Sequence, residues 1–162
     1  MSDEKKAFDI VVIGSGPGGY VAAIRAAQLG MRVACVERDT KLGGTCLNVG
    51  CIPSKALLNS TEEYIHAKKI LPRHGVVFDE LNFDLLAMMN HKQKVVDDLT
   101  KGIEHLFEKN DITRFVGLGR LGEPGEVRIE TESGDVTILN ARAIVIATGS
   151  TPASLKELKV DE

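Results

Sequence analysis

The sequence predicts an α/β fold built on a parallel central sheet. Residues 8–13 and 32–37 are short apolar runs rich in β-branched side chains, as expected for strands buried on both faces of a parallel sheet. Between them, apolar and small residues recur at helical spacing until Gly30. The positions predicted to face the sheet are Tyr20, Ala23, Ile24, Ala27 and Leu29. Strand, helix and strand within about thirty residues form a βαβ unit.

The rest of the chain is predicted to complete one domain over residues 1–162. A helix begins at or just after Cys51 and continues from residue 59 to residue 74. Residues 84–110 form a long helix whose packing face comprises Leu85, Met89, Val96, Leu99, Ile103 and Leu106. Residues 112–118 form a third strand, residues 126–130 and 136–139 a β-hairpin excursion, and residues 143–147 a further buried strand.

Charge and composition argue against several classes of partner. Lys and Arg number 20 against 23 Asp and Glu, and no long run of like charge occurs, so we expect neither a nucleic-acid partner nor a membrane partner. No apolar stretch is long enough for a membrane span. Residues 1–6 resemble neither a secretory signal nor an Arg-rich presequence. The expected location is cytoplasmic, with a mature organellar form as the alternative.

A glycine-rich turn follows the first strand and predicts a Rossmann-like dinucleotide cradle. Gly14 permits a tight turn, Gly16 leaves room for a pyrophosphate, and Gly19 lets the helix pack closely against the strand. Phosphates would then face the positive end of the helix. Glu37 would accept hydrogen bonds from an adenosine ribose. The predicted cradle comprises Gly14, Ser15, Gly16, Pro17, Gly18 and Gly19, with Glu37 and Arg38 after the second strand. The alternative is a glycine-rich turn without a ligand, and the motif alone does not distinguish FAD from NAD.

Two cysteines near a predicted helix start indicate redox chemistry. Cys46 and Cys51 can meet across a four-residue loop, and Pro53 suits the first turn of a helix. The helix dipole would lower a thiol pKa there by roughly one unit. A zinc half-site is the alternative, but no second Cys or His pair lies nearby and no metal site is predicted. Cys35 lies within a strand and is expected in the core. A dithiol beside a nucleotide needs a two-electron acceptor, which favours FAD.

Residues 43–58, GGTCLNVGCIPSKALL, resemble the redox-disulfide segment of the pyridine-nucleotide disulfide oxidoreductases. Within that family, the choices at Leu47, Ile52, Ser54 and Ala56 most resemble the dihydrolipoyl dehydrogenases, while glutathione and mercuric reductases share the CxNVGCxPxK frame. The resemblance extends to residues 147–150, which are similar to the family's second flavin-contacting segment. It therefore covers nearly the whole chain.

The resemblance implies a role for individual residues. Cys46 would be the thiol that exchanges with the substrate disulfide, and Cys51 the thiolate that contacts the flavin. Lys55 would lie near the flavin N5, and Gly119 would contact the adenine through its backbone. Further cofactor contacts are implied for Gly44, Thr45, Thr148, Gly149 and Ser150.

The resemblance also implies the function of the complete protein. Dihydrolipoamide, carried by a 2-oxoacid dehydrogenase complex, would reduce the Cys46–Cys51 disulfide, and electrons would pass through FAD to NAD in a homodimer. The family's NAD cradle, central segment and interface domain do not follow here, and Lys156 and Glu157 replace its usual Pro-Gly turn. We expect a truncated FAD-binding portion that is inactive alone. The alternatives are a mercuric or glutathione reductase and a nucleotide-binding fragment without turnover.

Overall fold

A computed structural model describes residues 6–151 and 153 of the chain. Lys156 and Glu157 lie outside the described residues. The elements are β1 (Lys6–Ile13), α1 (Pro17–Gln28), β2 (Val33–Glu37), α2 (Gly44–Asn48), α3 (Cys51–Lys69), α4 (Leu85–Lys109), β3 (Thr113–Val116), β4 (Leu118–Leu121), β5 (Glu126–Glu130) and β6 (Val136–Ile146). A single 3₁₀ turn, Leu71–His74, follows α3.

The strands form one six-stranded sheet in the order β3-β2-β1-β6-β5-β4. Strands β1, β2, β3 and β6 are parallel, whereas β4, β5 and the first half of β6 form an antiparallel meander. Ile13, Val36 and Ile146 lie in register at the ends of β1, β2 and β6. The predicted α/β fold with a parallel sheet and a hairpin excursion is confirmed. The carboxyl ends of the parallel strands share one edge, which is where such sheets bind ligands.

Two apolar cores lie on opposite faces of the sheet. On one face, Ala23 and Ala26 of α1 pack with Ile103 and Phe107 of α4 against the strands. On the other face, Val127 and Ile129 of β5 pack against Val11, Ala34 and Val36. A β-carbon on Gly119 of β4 would come within 2.9 Å of Ile13 and 3.1 Å of Val36, so the meander curls over this second face.

The predicted packing face of α4 is only partly right. Val96 and Ile103 are buried, as are Thr100 and Phe107, which the sequence analysis did not include. Leu85, Met89, Leu99 and Leu106 are exposed instead. The second half of the helix packs on the sheet, whereas its first half extends along α3 and leaves its apolar side chains in solvent. The prediction for Leu29 on α1 is likewise wrong, because that side chain is 59% exposed.

Three element boundaries also differ from the prediction. The helix after the cysteines ends at Lys69, and a 3₁₀ turn follows because Pro72 cannot continue an α-helix. The chain turns at Gly117, with φ +151°, so the strand predicted over residues 112–118 ends at Val116 and a second strand begins at Leu118. Strand β6 is continuous from the hairpin to Ile146, and Ile146 is 63% exposed, so its last residues are not buried as expected.

Candidate functional site

A cleft of about 480 Å³ opens at the carboxyl ends of the parallel strands. It lies where the turn after β1, the end of β2, the start of α3 and the segment after β6 converge. Its lining is Ile13, Gly14, Ser15, Gly16, Pro17, Val36, Glu37, Arg38, Asp39, Gly44, Thr45, Cys46, Gly50, Cys51, Gly117, Leu118, Gly119, Ala147, Thr148, Gly149, Ser150 and Thr151. The structure therefore brings together every candidate residue of the sequence analysis except Gly18, Gly19 and Lys55, which do not line the cleft.

The glycine turn has the geometry that its three glycines require. Gly14 has φ +98°, and a β-carbon there would overlap the carbonyl oxygen of Ala147. A β-carbon on Gly19 would overlap the carbonyl oxygen of Gly14, so Gly19 sets the close packing of α1 on β1. A β-carbon on Gly16 would meet no atom within 4 Å. The backbone at Gly16 is thus open to a ligand in the cleft.

The amino end of α1 faces this cleft. Gly16 is the N-cap residue, and its carbonyl accepts hydrogen bonds from Gly19 and Tyr20 at 2.8 and 2.9 Å. Backbone N–H groups before Gly19 have no acceptor within the helix, because no helical carbonyl group precedes the first turn of a helix. Together with the helix dipole, they form a site for an anion such as a phosphate.

Glu37 is buried at the end of β2, with its carboxylate held on both oxygens. Oε2 accepts hydrogen bonds from the backbone N–H and the hydroxyl of Ser15, at 2.8 and 2.5 Å, and Oε1 accepts one from the backbone of Asp39 at 3.0 Å. Burial on its own raises the pKa of Glu37, but these hydrogen bonds outweigh it and hold the pKa below its usual value. Glu37 therefore stays a charged acceptor at neutral pH.

The two cysteines lie on consecutive helices rather than on either side of an open loop. Cys46 lies within α2 and is partly buried, whereas Cys51 is the first residue of α3 and is exposed. The prediction that a helix begins at the second cysteine is confirmed, and α2 was not predicted. Two successive left-handed glycines make the turn into α2: Gly43 at φ +102° and Gly44 at φ +57°. Both cysteines are free thiols in this structure.

Asn48 lies between the cysteines and braces α2. Its side-chain amide donates to the carbonyl oxygens of Leu42 and Gly44, each at 3.0 Å. On the cleft side, a β-carbon on Gly44 would come within 2.8 Å of Gly16 Cα. The cysteine segment and the glycine turn are therefore in direct backbone contact, and Cys46 is fixed beside the cradle.

Cys51 and Lys55 act on the ionisation of Cys46 in opposite directions. The hydrogen bond with Cys51, partial burial and the charge of Cys51 raise the pKa of Cys46, and the ammonium of Lys55 opposes them. The two thiols of the reduced pair therefore interact, and the interaction disfavours negative charge at Cys46. The lowered thiol pKa expected at the helix start concerns Cys51 and stays a prediction, because the raised pKa of Cys46 does not test it.

Cys35 is a core residue, as predicted. Its side chain is fully buried, and burial raises the pKa of the thiol to about 12. Its sulfur lies 3.9 Å from the carbonyl oxygen of Gly14, within reach of a weak S–H hydrogen bond. Cys35 is therefore unreactive, in contrast to the two cysteines at the cleft.

Sequence reasoning missed part of the cleft. Asp39, Gly117, Leu118 and Thr151 line it, although none was a candidate. Gly117 was detectable, because a glycine that follows a β-branched run often marks a backbone turn, but the others line the cleft only through tertiary folding. Within residues 6–151 and 153, no cluster of three or more metal-binding side chains occurs. None of the helices in this described part is long and apolar enough to cross a membrane.

Comparison with known proteins identifies the family of this chain. The family model for pyridine nucleotide-disulphide oxidoreductases matches residues 8–161. The chain belongs to this family. Membership in this family implies a flavin cofactor.

Three relatives illustrate the similarity. Leghemoglobin reductase of Glycine max is 52% identical over 99% of this chain and 30% of its own length. Mitochondrial dihydrolipoyl dehydrogenase of Pisum sativum is 51% identical over 99% of this chain and 32% of its own length. Mitochondrial dihydrolipoyl dehydrogenase 1 of Arabidopsis thaliana is 50% identical over 99% of this chain and 31% of its own length. The chain thus spans about a third of the length of these curated relatives.

The cytoplasmic location expected from the sequence is contradicted by these relatives. The dihydrolipoyl dehydrogenases of Pisum sativum, Arabidopsis thaliana and Dictyostelium discoideum, 50–51% identical to this chain, are mitochondrial by name and point to a mitochondrial location. The expectation was based on the character of residues 1–6, and a leader that is removed from a mature protein leaves no trace in such a segment.

Proposed function

We propose that this chain is the FAD-binding and redox-disulfide portion of a dihydrolipoyl dehydrogenase. The complete protein would oxidise dihydrolipoamide, carried by a 2-oxoacid dehydrogenase complex, and reduce NAD as a homodimer. The single observation that carries the proposal is the contact between Gly44 of the cysteine segment and Gly16 of the glycine turn. That contact puts a dithiol at the wall of a nucleotide-sized cleft.

The residues of the cleft fit FAD. The open backbone at Gly16 and the amino end of α1 suit the pyrophosphate, and the ionised carboxylate of Glu37 suits the hydroxyl groups of a ribose. Gly119 lines the cleft, where its backbone would contact the adenine, and its lack of a β-carbon lets it pack against Ile13 and Val36. Thr148, Gly149 and Ser150 line the same cleft, where their backbone would contact the cofactor. When bound, FAD supplies a two-electron acceptor next to the dithiol.

The two cysteines would perform the exchange with substrate. A thiolate of dihydrolipoamide attacks the Cys46 sulfur of the disulfide, the S–S bond breaks, and Cys51 leaves as a thiolate. The second substrate thiol then displaces Cys46, giving lipoamide with its ring disulfide and a reduced protein pair. Two electrons pass from substrate to protein in this exchange. The raised pKa of Cys46 favours the protonated form of that thiol in the reduced pair.

Lys55 would favour the thiolate form of the pair. It lies one turn along α3 from Cys51, and its ammonium stabilises negative charge at the dithiol. The same positive charge would favour an electron-rich flavin ring in the cleft.

Competition binding tests the cofactor assignment. FAD and NAD are titrated separately and together against the purified protein, and the fluorescence of FAD reports its capture. We expect FAD to bind more tightly than NAD in the cleft. Tighter binding of NAD would reverse the assignment.

Substrate assays test the activity. Turnover of the full-length protein is compared with dihydrolipoamide, glutathione disulfide, mercuric ion and leghemoglobin, because the last is the named substrate of similar relatives. We expect dihydrolipoamide with NAD to be preferred, and preference for any of the others would replace the proposal.

A further inference from the structure

Ser15 joins three loops at the bottom of the cleft. Its side chain is fully buried. Its backbone N–H and its hydroxyl both donate to Oε2 of Glu37. Its carbonyl oxygen and its hydroxyl oxygen both face the backbone N–H of Gly43, at 3.0 and 3.3 Å. Gly43 is the N-cap residue of α2, which carries Cys46.

The hydroxyl of Ser15 has no donor left for a ligand. A serine hydroxyl carries one proton. At 2.5 Å from Oε2 of Glu37, the Ser15 hydroxyl donates that proton in a hydrogen bond to the carboxylate. Its oxygen accepts from Gly43 at the same time. Ser15 lines the cleft, yet its hydroxyl is hydrogen-bonded to Glu37 and Gly43 and has no proton to donate to a ligand in the cleft.

We propose that Ser15 is a positioning residue that keeps Glu37 ionised and aimed at the nucleotide ribose and fixes the start of the cysteine helix. The inference rests on the proposed function, because it describes how the same cleft recognises FAD. It revises the sequence prediction that Ser15 belongs with the direct cofactor contacts.

The charged side chains near Glu37 are not among the groups that hydrogen-bond its carboxylate. Arg38 and Asp39 on the following loop pair with each other at 3.4 Å and are exposed. Arg114 of β3 pairs with Glu104 of α4 at 3.4 Å and also donates to the carbonyl oxygen of Thr40. Arg120 of β4 is exposed, and Cys35 of β2 is uncharged at neutral pH. The hydrogen bonds to the Glu37 carboxylate come instead from Ser15 and the adjoining backbone.

The pH dependence of FAD affinity tests the inference. In Ser15→Ala, Glu37 loses a donor to its charged form, so its pKa rises. Ribose hydroxyls bind the ionised carboxylate, so affinity is present above that pKa and is lost as the pH falls through it. We expect the acid limb of the affinity profile to move up by about one pH unit, with roughly tenfold weaker binding at a pH on that limb and little change at neutral pH, where Glu37 stays ionised in both proteins.

A double-mutant cycle separates this role from general damage to the fold. In a Glu37→Gln background, Ser15→Ala should cost much less FAD affinity than it does alone, because the charge that it stabilises is gone. Ser60→Ala is the matched control, since that hydroxyl donates at 3.1 Å to Ala56 inside α3, away from the cleft. It should leave the profile unchanged. Additive losses in the cycle, or an unmoved acid limb in Ser15→Ala, would overturn the inference.

A measurement on the unaltered protein covers the case in which Ser15→Ala does not fold. Carbon-13 NMR of the Glu37 carboxyl should show its pKa below the usual glutamate range, and a value above that range would overturn the inference. If the unaltered protein binds no FAD, the proposed function fails. If it binds FAD but Glu37 titrates above the usual range, only the role of Ser15 fails.

Discussion

At the scale of single residues, the cysteine pair is the feature that carries the chemistry. Cys46 and Cys51 lie at the cleft wall, whereas Cys35 is sealed in the core. We predict that Cys46 and Cys51 form a reversible disulfide. Thiol counting under native conditions should find two more thiols after mild reduction than after mild oxidation. The Cys51→Ala variant is the control and should show no such gain; three free thiols in the oxidised native protein would contradict the prediction.

The ionisation of Cys46 gives a second prediction at this scale. Because Cys51 is the main cause of the raised pKa of Cys46, the Cys51→Ala variant should lower it, and Lys55→Gln should raise it. The measurement is the rate of alkylation of the reduced protein as a function of pH, with the modified cysteine located by fragment-ion mass spectrometry. The half-maximal rate at Cys46 should move to lower pH in the first variant and to higher pH in the second. An unmoved midpoint in Cys51→Ala would show that the two thiols do not interact.

At the scale of elements, the packing of α1 on β1 depends on one glycine. A β-carbon at Gly19 would overlap the carbonyl oxygen of Gly14, whereas one at Gly18 would meet no atom within 4 Å. Gly19→Ala should therefore destabilise the protein by about 3 kcal/mol or more, since backbone would have to shift. Gly18→Ala should be neutral or stabilising by up to ~1 kcal/mol, because alanine is the better helix former. Denaturant unfolding of both variants checks this. Equal effects would mean that the helix is free to move away from the strand.

The elements that the sequence predicts well are those whose signal is local. The β1-α1-β2 unit follows from β-branched runs, small residues at helical spacing and Gly30, which indeed has φ +83° after the helix. The start of α3 follows from Pro53. Helix α2 has five residues, too few for a periodic pattern, and the fold holds it through Gly43, Gly44 and Asn48.

The parts that the sequence did not predict depend on distant contacts. The hydrogen bonds between Ser15 and Glu37 join the turn after β1 to the end of β2, and no spacing rule encodes them. The exposure of Leu85 and Leu99 on α4 follows from the fact that only the second half of that helix reaches the sheet. Periodicity indicates which face of a helix is apolar, but not whether another element covers it.

At the scale of the whole molecule, much apolar surface is open to solvent. Helix α3 has no buried residue along its 19 positions, and apolar side chains of α4 and the preceding loop are more than half exposed. The strongly exposed ones in this region are Leu58, Val77, Phe83, Leu85 and Leu86. A patch of this kind favours association with another apolar surface.

We therefore predict that the 162-residue chain self-associates when it is prepared alone. Light scattering on a size-exclusion column, with excess FAD, should give a mass above that of one chain. The double variant Phe83→Ser and Leu86→Ser should reduce the association, and Lys94→Ser, at an exposed polar position of α4, should not. A monomer at all concentrations would contradict this.

The same chain should not turn over dihydrolipoamide with NAD. Its sequence holds one glycine-rich cradle, which we assign to FAD, and no evident acid-base partner for the cysteines. Lost general acid-base help typically costs ~10²–10⁴-fold in rate. Reduction of NAD by dihydrolipoamide is followed by absorbance on the chain loaded with FAD. Rates like those of a complete enzyme would mean that the residues described above contain a base that we have not identified.

Because β6 pairs with β1, one edge of β1 stays unpaired during synthesis until β6 has been made. The glycine turn belongs to the first strand made, but its neighbours across the sheet, from Ala143 to Ala147, are among the last residues of the fold to leave the ribosome. At about 5–20 residues per second, the open edge of β1 waits on the order of ten seconds for its partner. A nascent chain can build α1 and β2 in that interval, but it cannot close the cleft. Cofactor capture by the complete cleft therefore follows the synthesis of β6, and β1 is an exposed strand edge open to a chaperone until then.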